Sequence, residues 1–232
     1  ELGLVGSEMC IRDSYCSLPV PLSMPNAVVT GANRGIGLEF VKQLSKAGYN
    51  VYAGYRTFSQ EMENSCNEMI QPLDVSQQQS VDDFTSNLPS SIDLLINNAG
   101  VADGRWQSIE EIDDNIALEV LNINAVGPVR MMKSISKKLS DGAKVVMITS
   151  LMASMEDCKT GRSYAYRASK AALNMFSLAM KNELKTRNIS LLLMHPGWVR
   201  TDMGGPHAEV SVVESVEGMM KQIGEHLSLI HI

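Results

Sequence analysis

The chain has 232 residues, which is enough for one large domain or two small ones with a hydrophobic core. Apolar residues make up 44% of it and charged residues 20%, a composition that excludes a disordered or fibrous protein. Twenty Lys and Arg against 26 Asp and Glu give a net charge of −6, and no apolar run reaches the roughly 18 residues that a membrane span requires. We therefore expect neither a nucleic-acid partner nor a membrane partner.

The cysteines and histidines follow no pattern typical of metal ligands. The four cysteines, at positions 10, 16, 66 and 158, are also too few for a disulfide scaffold in a chain of this length. We expect reduced thiols, a cytoplasmic location and no metal site.

Both ends of the sequence are expected to be foreign to the protein. Residues 9–14, MCIRDS, can be encoded by ATGTGTATAAGAGACAG and one further base, and the reverse complement of that string translates as LSLIHI, which is residues 227–232. One oligonucleotide read from opposite strands thus explains both ends, as in a sequencing adapter fused to a partial transcript. Residues 1–23 also lack the apolar centre of a secretory signal. We therefore expect residues 24–226 to form a single domain that lacks a C-terminal element.

Short apolar runs alternate with amphipathic stretches from Ala27 onward. The runs predict strands over residues 27–30, 51–55, 69–75, 94–96, 145–149 and 189–194. The amphipathic stretches predict helices over residues 35–47, 76–88, 109–139, 164–186 and 212–226. The polar stretch 59–67 leaves room for only a short helix. This alternation predicts an α/β fold with a doubly wound parallel sheet that is covered on both faces.

A glycine-rich turn, TGANRGIG over residues 30–37, lies between the first predicted strand and the first helix. Glycines permit a tight turn, a close approach of the backbone to phosphate and close packing of the helix on the strand. The N-terminus of the helix would then face a pyrophosphate. Such a turn alone is as often structural as functional, but its position between strand and helix favours nucleotide binding. The candidate contacts are Gly31, Asn33, Arg34, Gly35, Ile36 and Gly37.

Several motifs in order resemble the short-chain dehydrogenases/reductases over about residues 28–203. The turn has the form of that family's cofactor turn, NNAG follows the fourth strand, LDV resembles its adenine-contacting segment, and HPGWVRT resembles its PGxVxT segment. Singly, the aspartate fits a helix cap and the asparagines fit a turn, but their order favours the functional interpretation. The resemblance implies a Rossmann-type three-layer sandwich without the family's last edge strand. It also implies cofactor contacts at Asp74, Val75, Asn97, Ala99, Gly100, Pro196, Gly197, Val199 and Thr201.

The end of the second predicted strand indicates which nucleotide binds. An NAD enzyme normally has a carboxylate there, whereas a 2′-phosphate needs positive charge. This chain has Tyr55 and Arg56, and Arg56 together with Arg34 could clamp a phosphate. The alternative is that both arginines are solvated surface residues. The sequence predicts NADP(H) as cofactor.

Tyr166 and Lys170 are four residues apart, so on a helix they share one face. An ammonium about 4 Å from a phenolate can stabilise it by about 4 kcal/mol, enough to lower the pKa of a tyrosine from about 10 to about 7. The pair also matches the YxxxK motif of the family. Tyr164 is the competing tyrosine, but the residue four positions on is Ala168, which carries no charge.

The resemblance implies two further catalytic residues. Ser150 follows the fifth predicted strand, as the active-site serine of the family does, with Ser154 as the alternative. Asn124 resembles the family's NxxG asparagine, whose backbone carbonyl supports a water relay to the lysine, with Asn122 as the alternative.

The implied roles follow the chemistry of carbonyl reduction. Ser150 binds the carbonyl oxygen, Tyr166 delivers the proton, and Lys170 lowers the tyrosine pKa and holds the nicotinamide ribose. The Val199 backbone and Thr201 hold the carboxamide. NADPH supplies the hydride. Met152 and Met155 are candidates for the wall of the substrate pocket.

Three stretches, GANRGIGLE, YRASKAALN and HPGWVRTDMGG, resemble the C-factor and sniffer-like carbonyl reductases of the family most. This resemblance implies NADPH-dependent reduction of a ketone or aldehyde. A 3-oxoacyl or steroid dehydrogenase is an alternative within the family. An NADPH-binding signalling or redox-sensing protein with little turnover is an alternative from another class. The complete set of four predicted catalytic residues argues against it. These residues are Asn124, Ser150, Tyr166 and Lys170. Because the family commonly dimerises through two such long helices, we also expect a homodimer.

Overall fold

Short apolar runs form the six strands of one parallel sheet. The structure, a computed structural model, describes residues 24–103 and 108–225, so the expectations for residues 1–23 and 227–232 lie outside the described residues. The strand order is β3-β2-β1-β4-β5-β6, and every pairing is parallel. The doubly wound parallel sheet predicted from the sequence is confirmed. The strands are β1 Asn26–Thr30, β2 Asn50–Tyr55, β3 Met69–Pro72, β4 Ile92–Asn97, β5 Leu139–Ile148 and β6 Ser190–Met194.

Amphipathic stretches form the helices that cover both faces of the sheet. α4 and α5 are joined by a π-helical turn, Asn122–Val126, and short 3₁₀ turns lie at 109–111, 136–138, 151–153 and 185–187. None of the described helices is long and apolar enough to cross a membrane. The helices are α1 Gly35–Lys46, α2 Gln60–Ser65, α3 Gln78–Ser86, α4 Asp114–Leu121, α5 Gly127–Ile135, α6 Tyr164–Leu184 and α7 Val212–Glu225.

The alternation of side chains along the strands divides the core into two layers. One row across the sheet packs under α3, α5 and α6, and consists of Val28, Leu95, Val145 and Leu191. The next row packs under α1 and α7, and consists of Val29, Ile96, Val146 and Leu192. Each fully buried side chain of this size contributes about 1.5–3 kcal/mol to folding. The two layers therefore hold the sheet rigidly between its helices.

The region predicted as one helix over 109–139 differs from the prediction. It contains α4, the π turn, α5 and a 3₁₀ turn, and β5 already begins at Leu139. Between the pair Ile92–Leu139 and the pair Leu94–Lys144, β4 advances by two positions and β5 by five. Gly142 lies in this bulge with φ +81°. The polar bulge residues interrupt the apolar run, which is why the sequence pattern placed the start of β5 too late. The short helix predicted within 59–67 is confirmed as α2.

The sheet brings its functional loops to one edge. In a parallel sheet the carboxyl ends of all strands meet at the same edge, and ligands bind where the strand order reverses. Here the order reverses between β1 and β4, so the turn after β1 and the loops after β4, β5 and β6 surround one crevice.

Candidate active site

A cavity of about 930 Å³ opens at the edge where these strands end. It brings together most of the residues that the sequence analysis selected. Among the predicted catalytic and cofactor-binding residues, Gly37, Asn97 and Asn124 do not line it. Those that line it are Gly31, Asn33, Arg34, Gly35, Ile36, Arg56, Asp74, Val75, Ala99, Gly100, Ser150, Tyr166, Lys170, Pro196, Gly197, Val199 and Thr201.

The glycine turn places the N-terminus of α1 at the cavity. Gly31 and Gly35 have φ angles of +64° and +52°, which glycine adopts without strain. A Cβ atom on Gly37 would lie 2.2 Å from the Gly31 carbonyl oxygen, so Gly37 serves the packing of the turn. No side chain caps α1, and its first turn contains no acidic residue. Its free N–H groups therefore fit an anion such as the pyrophosphate of a dinucleotide.

The side chains of the two asparagines of NNAG, Asn97 and Asn98, make different contacts. Asn97 ends β4, is buried and donates from Nδ2 to the sulfur of Met147 at 3.3 Å, behind the cavity wall. Asn98 was not selected from the sequence, yet its Nδ2 donates to the carbonyl oxygens of Thr30 and Gly31 at 3.0 and 3.1 Å. Asn98 thereby fixes the shape of the glycine turn. Its position in NNAG was the only signal, because its partners lie 67 and 68 residues away.

The end of the cavity beside β2 is exposed and contains two arginines. Arg56 follows β2, and its side chain is exposed at the cavity. Arg34 forms an ion pair with Asp202, and the two side chains are 67% and 78% exposed. Asp74 accepts a hydrogen bond from the Ser76 N–H at 2.9 Å and lines the same end. This end offers two guanidinium groups in positions where they can meet a phosphate.

Ser150, Tyr166 and Lys170 form the opposite end of the cavity. Ser150 lies just after β5 and Tyr166 lies in the first turn of α6, and the Ser150 hydroxyl is near enough to lower the pKa of the Tyr166 phenol. Lys170 is 4% exposed, and its Nζ lies 5.8 Å from the centre of the Tyr166 ring. The ammonium donates to the Ile148 carbonyl oxygen at 2.7 Å. Spacing along one helix and the end of one strand thus bring the three side chains together.

The ionisation of this pair differs from the expectation. Burial raises the pKa of Tyr166 above its ordinary value, and hydrogen bonding from Ser150 to the phenolate form offsets this only in part. Burial also lowers the pKa of Lys170 from 10.5 to about 8. Both shifts have one physical cause, since a buried site penalises the charged form of either group. In this structure the phenol is therefore protonated at neutral pH. The pKa of Tyr166 is raised by burial and not lowered by Lys170 as the sequence predicted.

The competing residues lie outside the cavity. Ser154 accepts a hydrogen bond from the Asp157 N–H at 3.1 Å within its own turn. Tyr164 packs against Val120 in a small apolar cluster away from the cavity. Asn122 donates to the Ser76 carbonyl oxygen at 3.5 Å. The geometry therefore favours Ser150 over Ser154 and Tyr166 over Tyr164.

Asn124 supports the site from behind. It is fully buried in the π turn, and its side chain is hydrogen-bonded to both the N–H and the C=O of Val101, each at 2.8 Å. Its Nδ2 also donates to the Ser169 hydroxyl at 3.0 Å, which in turn donates to the Tyr166 carbonyl oxygen at 2.8 Å. Asn124 thus joins the loop after β4 to the first turns of α6.

Asp103 is a second residue that the sequence analysis missed. Its Oδ2 accepts hydrogen bonds from the backbone N–H groups of Ala165 and Tyr166 at 3.0 and 3.2 Å. Asp103 lines the cavity and is 6% exposed. Because it reaches residues more than 60 positions away, no local pattern marked it.

Apolar side chains surround the mouth of the cavity near Ser150. Leu151, Trp198 and Met203 are exposed there, and the Trp198 indole is fixed by a hydrogen bond to the Gly204 carbonyl oxygen at 2.9 Å. Met152 lines the cavity, as the sequence suggested. Met155 does not line it and is 87% exposed. Across residues 24–103 and 108–225, no three His, Cys, Asp or Glu side chains converge as metal ligands would.

Comparison with known proteins identifies the family. The short chain dehydrogenase family profile matches residues 25–211. C-signal of Myxococcus xanthus is 42% identical over 143 residues, which are 60% of this chain and 86% of that protein. The NADPH-bound carbonyl reductase from chicken fatty liver has a TM-score of 0.80 and 31% identity, over 88% of this chain and 93% of that one. The carbonyl reductase Sniffer of D. melanogaster has a TM-score of 0.79 and 26% identity, over 88% and 92%.

These matches and the fold agree with the motifs read from the sequence. The chain belongs to the short chain dehydrogenase family. It is an oxidoreductase of that family, whose members use nicotinamide cofactors, and the predicted resemblance to C-factor and sniffer-like proteins is confirmed.

Proposed function

We propose that this protein uses NADPH to reduce a ketone or aldehyde carbonyl, within one domain expected over residues 24–226. The observation that carries the proposal is the placement of Ser150, Tyr166 and Lys170 together in the cavity that also contains the glycine turn. The NADPH named with the chicken carbonyl reductase, a structural neighbour, supports the choice of cofactor.

The Ser150 and Tyr166 hydroxyls can both donate to one substrate carbonyl oxygen. NADPH, when bound, would supply the hydride that reduces the carbonyl carbon. Tyr166 then transfers its proton to the oxygen, where negative charge develops, while the hydrogen bond from Ser150 stabilises that charge. The raised pKa of Tyr166 keeps the proton on the phenol at neutral pH, which suits the reduction direction.

Lys170 has two tasks in this proposal. Its ammonium stabilises the phenolate that remains on Tyr166 after proton transfer. Among residues 24–103 and 108–225, its ammonium donates one hydrogen bond, to the Ile148 carbonyl oxygen, so further N–H groups are available to the ribose hydroxyls. Because the pKa of Lys170 is about 8, the ammonium is charged at neutral pH.

The exposed end of the cavity selects the cofactor. Arg56 and Arg34 would bind the 2′-phosphate, and Asp74 and Val75 would contact the adenine. At the opposite side, Thr201 accepts from the Gly204 N–H at 3.1 Å, and the Thr201 side chain would hold the carboxamide together with the Val199 backbone. The other residues that the sequence assigned to the cofactor line the cavity and would contact it directly. Gly37 and Asn97 do not line the cavity and would support it through packing.

A signalling or redox-sensing protein with little turnover is the second candidate function. The name of the relative C-signal favours it. The complete set of Ser150, Tyr166 and Lys170 favours turnover. A 3-oxoacyl or steroid dehydrogenase would use the same residues and differ only in its substrate.

We also propose that the protein is a homodimer that pairs α4 and α6 with those of a second copy. The two helices pack together and expose a set of apolar side chains. These exposed apolar residues are Ile116, Leu118, Met175, Phe176 and Leu178. Sedimentation of the full chain tests this proposal.

We also propose a reducing cytoplasmic location. The free thiols Cys66 and Cys158 fit it, while Cys10 and Cys16 lie outside the described residues.

The direct test is consumption of NADPH by the full chain with a panel of ketones, aldehydes and quinones, and with NADH as the comparison. We expect turnover that is faster with NADPH. Tight NADPH binding without consumption in the presence of any carbonyl would contradict the reductase proposal and favour the sensor.

A further inference from the structure

Helix α6 begins without a cap of its own. Helix N-caps usually have an extended backbone and a side chain that accepts from the first N–H groups. Ser163, at this position, has φ +50° and makes no side-chain cap hydrogen bond, and Arg162 before it has φ +81°. Two successive residues other than glycine with positive φ are uncommon. The loop before α6 therefore cannot satisfy the start of the helix that carries Tyr166.

Asp103 supplies the missing cap from another part of the chain. Its Oδ2 accepts from the N–H groups of Ala165 and Tyr166 at 3.0 and 3.2 Å. A carboxylate at a helix N-terminus is also favoured by the helix dipole. Asp103 is buried and lines the cavity, and among the described residues its other oxygen has no hydrogen-bond partner.

The segment that carries Asp103 is itself held firmly. Asn124 binds both the N–H and the C=O of Val101, two residues before Asp103. The same asparagine binds the Ser169 hydroxyl, which donates to the Tyr166 carbonyl oxygen. The backbone N–H and C=O of Tyr166 are thus both hydrogen-bonded to side chains that Asn124 helps to hold in place. The N–H is bound by Asp103, whose segment Asn124 binds two residues earlier. The C=O is bound by Ser169, whose hydroxyl Asn124 binds directly.

We propose that Asp103 is a positioning residue for Tyr166. It fixes the first turn of α6 so that the phenol keeps its place beside Ser150 and Lys170. This proposal rests on the proposed function, because Asp103 acts through the proton donor. A misplacement of about 1 Å at a reacting group can lower the rate about 100-fold, so a cap at this point has consequences for kcat.

Another helix provides a matched control. Asp113 caps α4 with the same two kinds of hydrogen bond, from the Asn115 and Ile116 N–H groups at 2.9 and 3.1 Å, but it lies outside the cavity. Asp113→Ala removes the cap of a helix that does not carry Tyr166. We expect it to lower the melting temperature and leave kcat unchanged.

Asp103→Ala should lower kcat about 10- to 100-fold, while KM for NADPH stays within about twofold of the wild type. Asp103→Asn keeps an acceptor oxygen for both N–H groups and should restore kcat to within about threefold of the wild type. A wild-type kcat in Asp103→Ala would overturn the proposal. So would a loss of kcat in Asp103→Asn as large as in Asp103→Ala.

If Asp103→Ala does not fold, Asp103→Glu provides a second test. It displaces the acceptor by one methylene and should also lower kcat. A wild-type kcat in Asp103→Glu would overturn the proposal.

Amide hydrogen exchange separates a failure of this proposal from a failure of the proposed function. Wild-type protein without turnover would contradict the function, but exchange at Ala165 and Tyr166 still reports on the cap. We expect these amides to exchange about tenfold faster in Asp103→Ala or, if that variant does not fold, in Asp103→Glu, since a hydrogen bond is lost, and to be unchanged in Asp113→Ala. Unchanged exchange at both amides in the folded Asp103 variant would overturn the positioning role.

Discussion

The two ends of the cavity are built differently. At the end with Tyr166, the supporting groups Lys170, Asn124 and Ser169 are buried and hydrogen-bonded. At the other end, Arg34 and Arg56 are exposed, and the ion pair that Arg34 makes is with an exposed aspartate. A proton transfer needs fixed geometry, whereas a phosphate can be bound by mobile positive charge. We therefore expect changes at the buried end to alter kcat and changes at the exposed end to alter KM for the cofactor.

Tyr166→Phe should have the largest effect. The change removes the proposed proton donor and keeps the ring, so kcat should fall about 10²- to 10⁴-fold while the dissociation constant of NADPH stays nearly constant. Steady-state kinetics and a fluorescence titration with NADPH measure the two quantities. Tyr164→Phe is the matched control, because Tyr164 lies on the same helix outside the cavity. A loss of kcat in Tyr164→Phe as large as in Tyr166→Phe would contradict the contrast drawn between the two ends of the cavity.

Lys170→Met should lower kcat about 100-fold, since the ammonium no longer stabilises a phenolate on Tyr166. The same change should stabilise the fold at neutral pH. The pKa of Lys170 is about 8 in the folded protein against 10.5 as the ordinary value, so below pH 8 folding buries a charged ammonium at a cost of about 3 kcal/mol.

Loss of the hydrogen bond to the Ile148 carbonyl oxygen offsets part of this gain, so we expect the free energy of unfolding at pH 7 to rise by about 2 kcal/mol. As pH rises from 8 to 10.5, the lysine becomes neutral in the folded wild type and the advantage of methionine disappears. Urea unfolding at pH 7 and pH 10 measures the difference. A less stable variant at pH 7 would contradict the assigned burial cost.

Arg56→Glu should raise KM for NADPH about 10- to 100-fold, because a charge-assisted hydrogen bond to the 2′-phosphate is replaced by repulsion. At saturating NADPH, kcat should change little. KM for NADH should remain the same or fall. Lys137→Glu reverses an exposed charge outside the cavity and serves as the control. An equal effect on NADPH and NADH would show that Arg56 does not contact the 2′-phosphate.

Asp202→Asn should have the smallest effect. It weakens the ion pair with Arg34, and exposed pairs contribute about 0.2–1 kcal/mol. Released from this partner, Arg34 should bind phosphate more readily, so KM for NADPH should fall by at most about fivefold, with a steeper dependence on salt. Titrations at two salt concentrations measure the change. A rise in KM would indicate that Asp202 itself helps to bind the cofactor.

The sequence predicted most of the fold and the proximity of Tyr166 and Lys170 because both depend on local patterns. Alternating apolar runs indicated the parallel sheet, and the spacing of Tyr166 and Lys170 along one helix placed them together. The start of β5 was wrong because a polar bulge with Gly142 interrupts the strand. Asn98 and Asp103 were missed because each acts on backbone groups more than 60 residues away, a relation that no local pattern contains.

The most direct test of the contrast between the two ends is single-turnover oxidation of NADPH, with a carbonyl compound from the substrate panel as hydride acceptor. The wild type, Tyr166→Phe and Arg56→Glu are compared over a range of NADPH concentrations. We predict that Tyr166→Phe lowers the limiting rate at an unchanged half-saturating concentration, and that Arg56→Glu raises this concentration at a nearly unchanged limiting rate. If both variants changed the same quantity, the division of the cavity into a chemical end and a cofactor-selecting end would be contradicted.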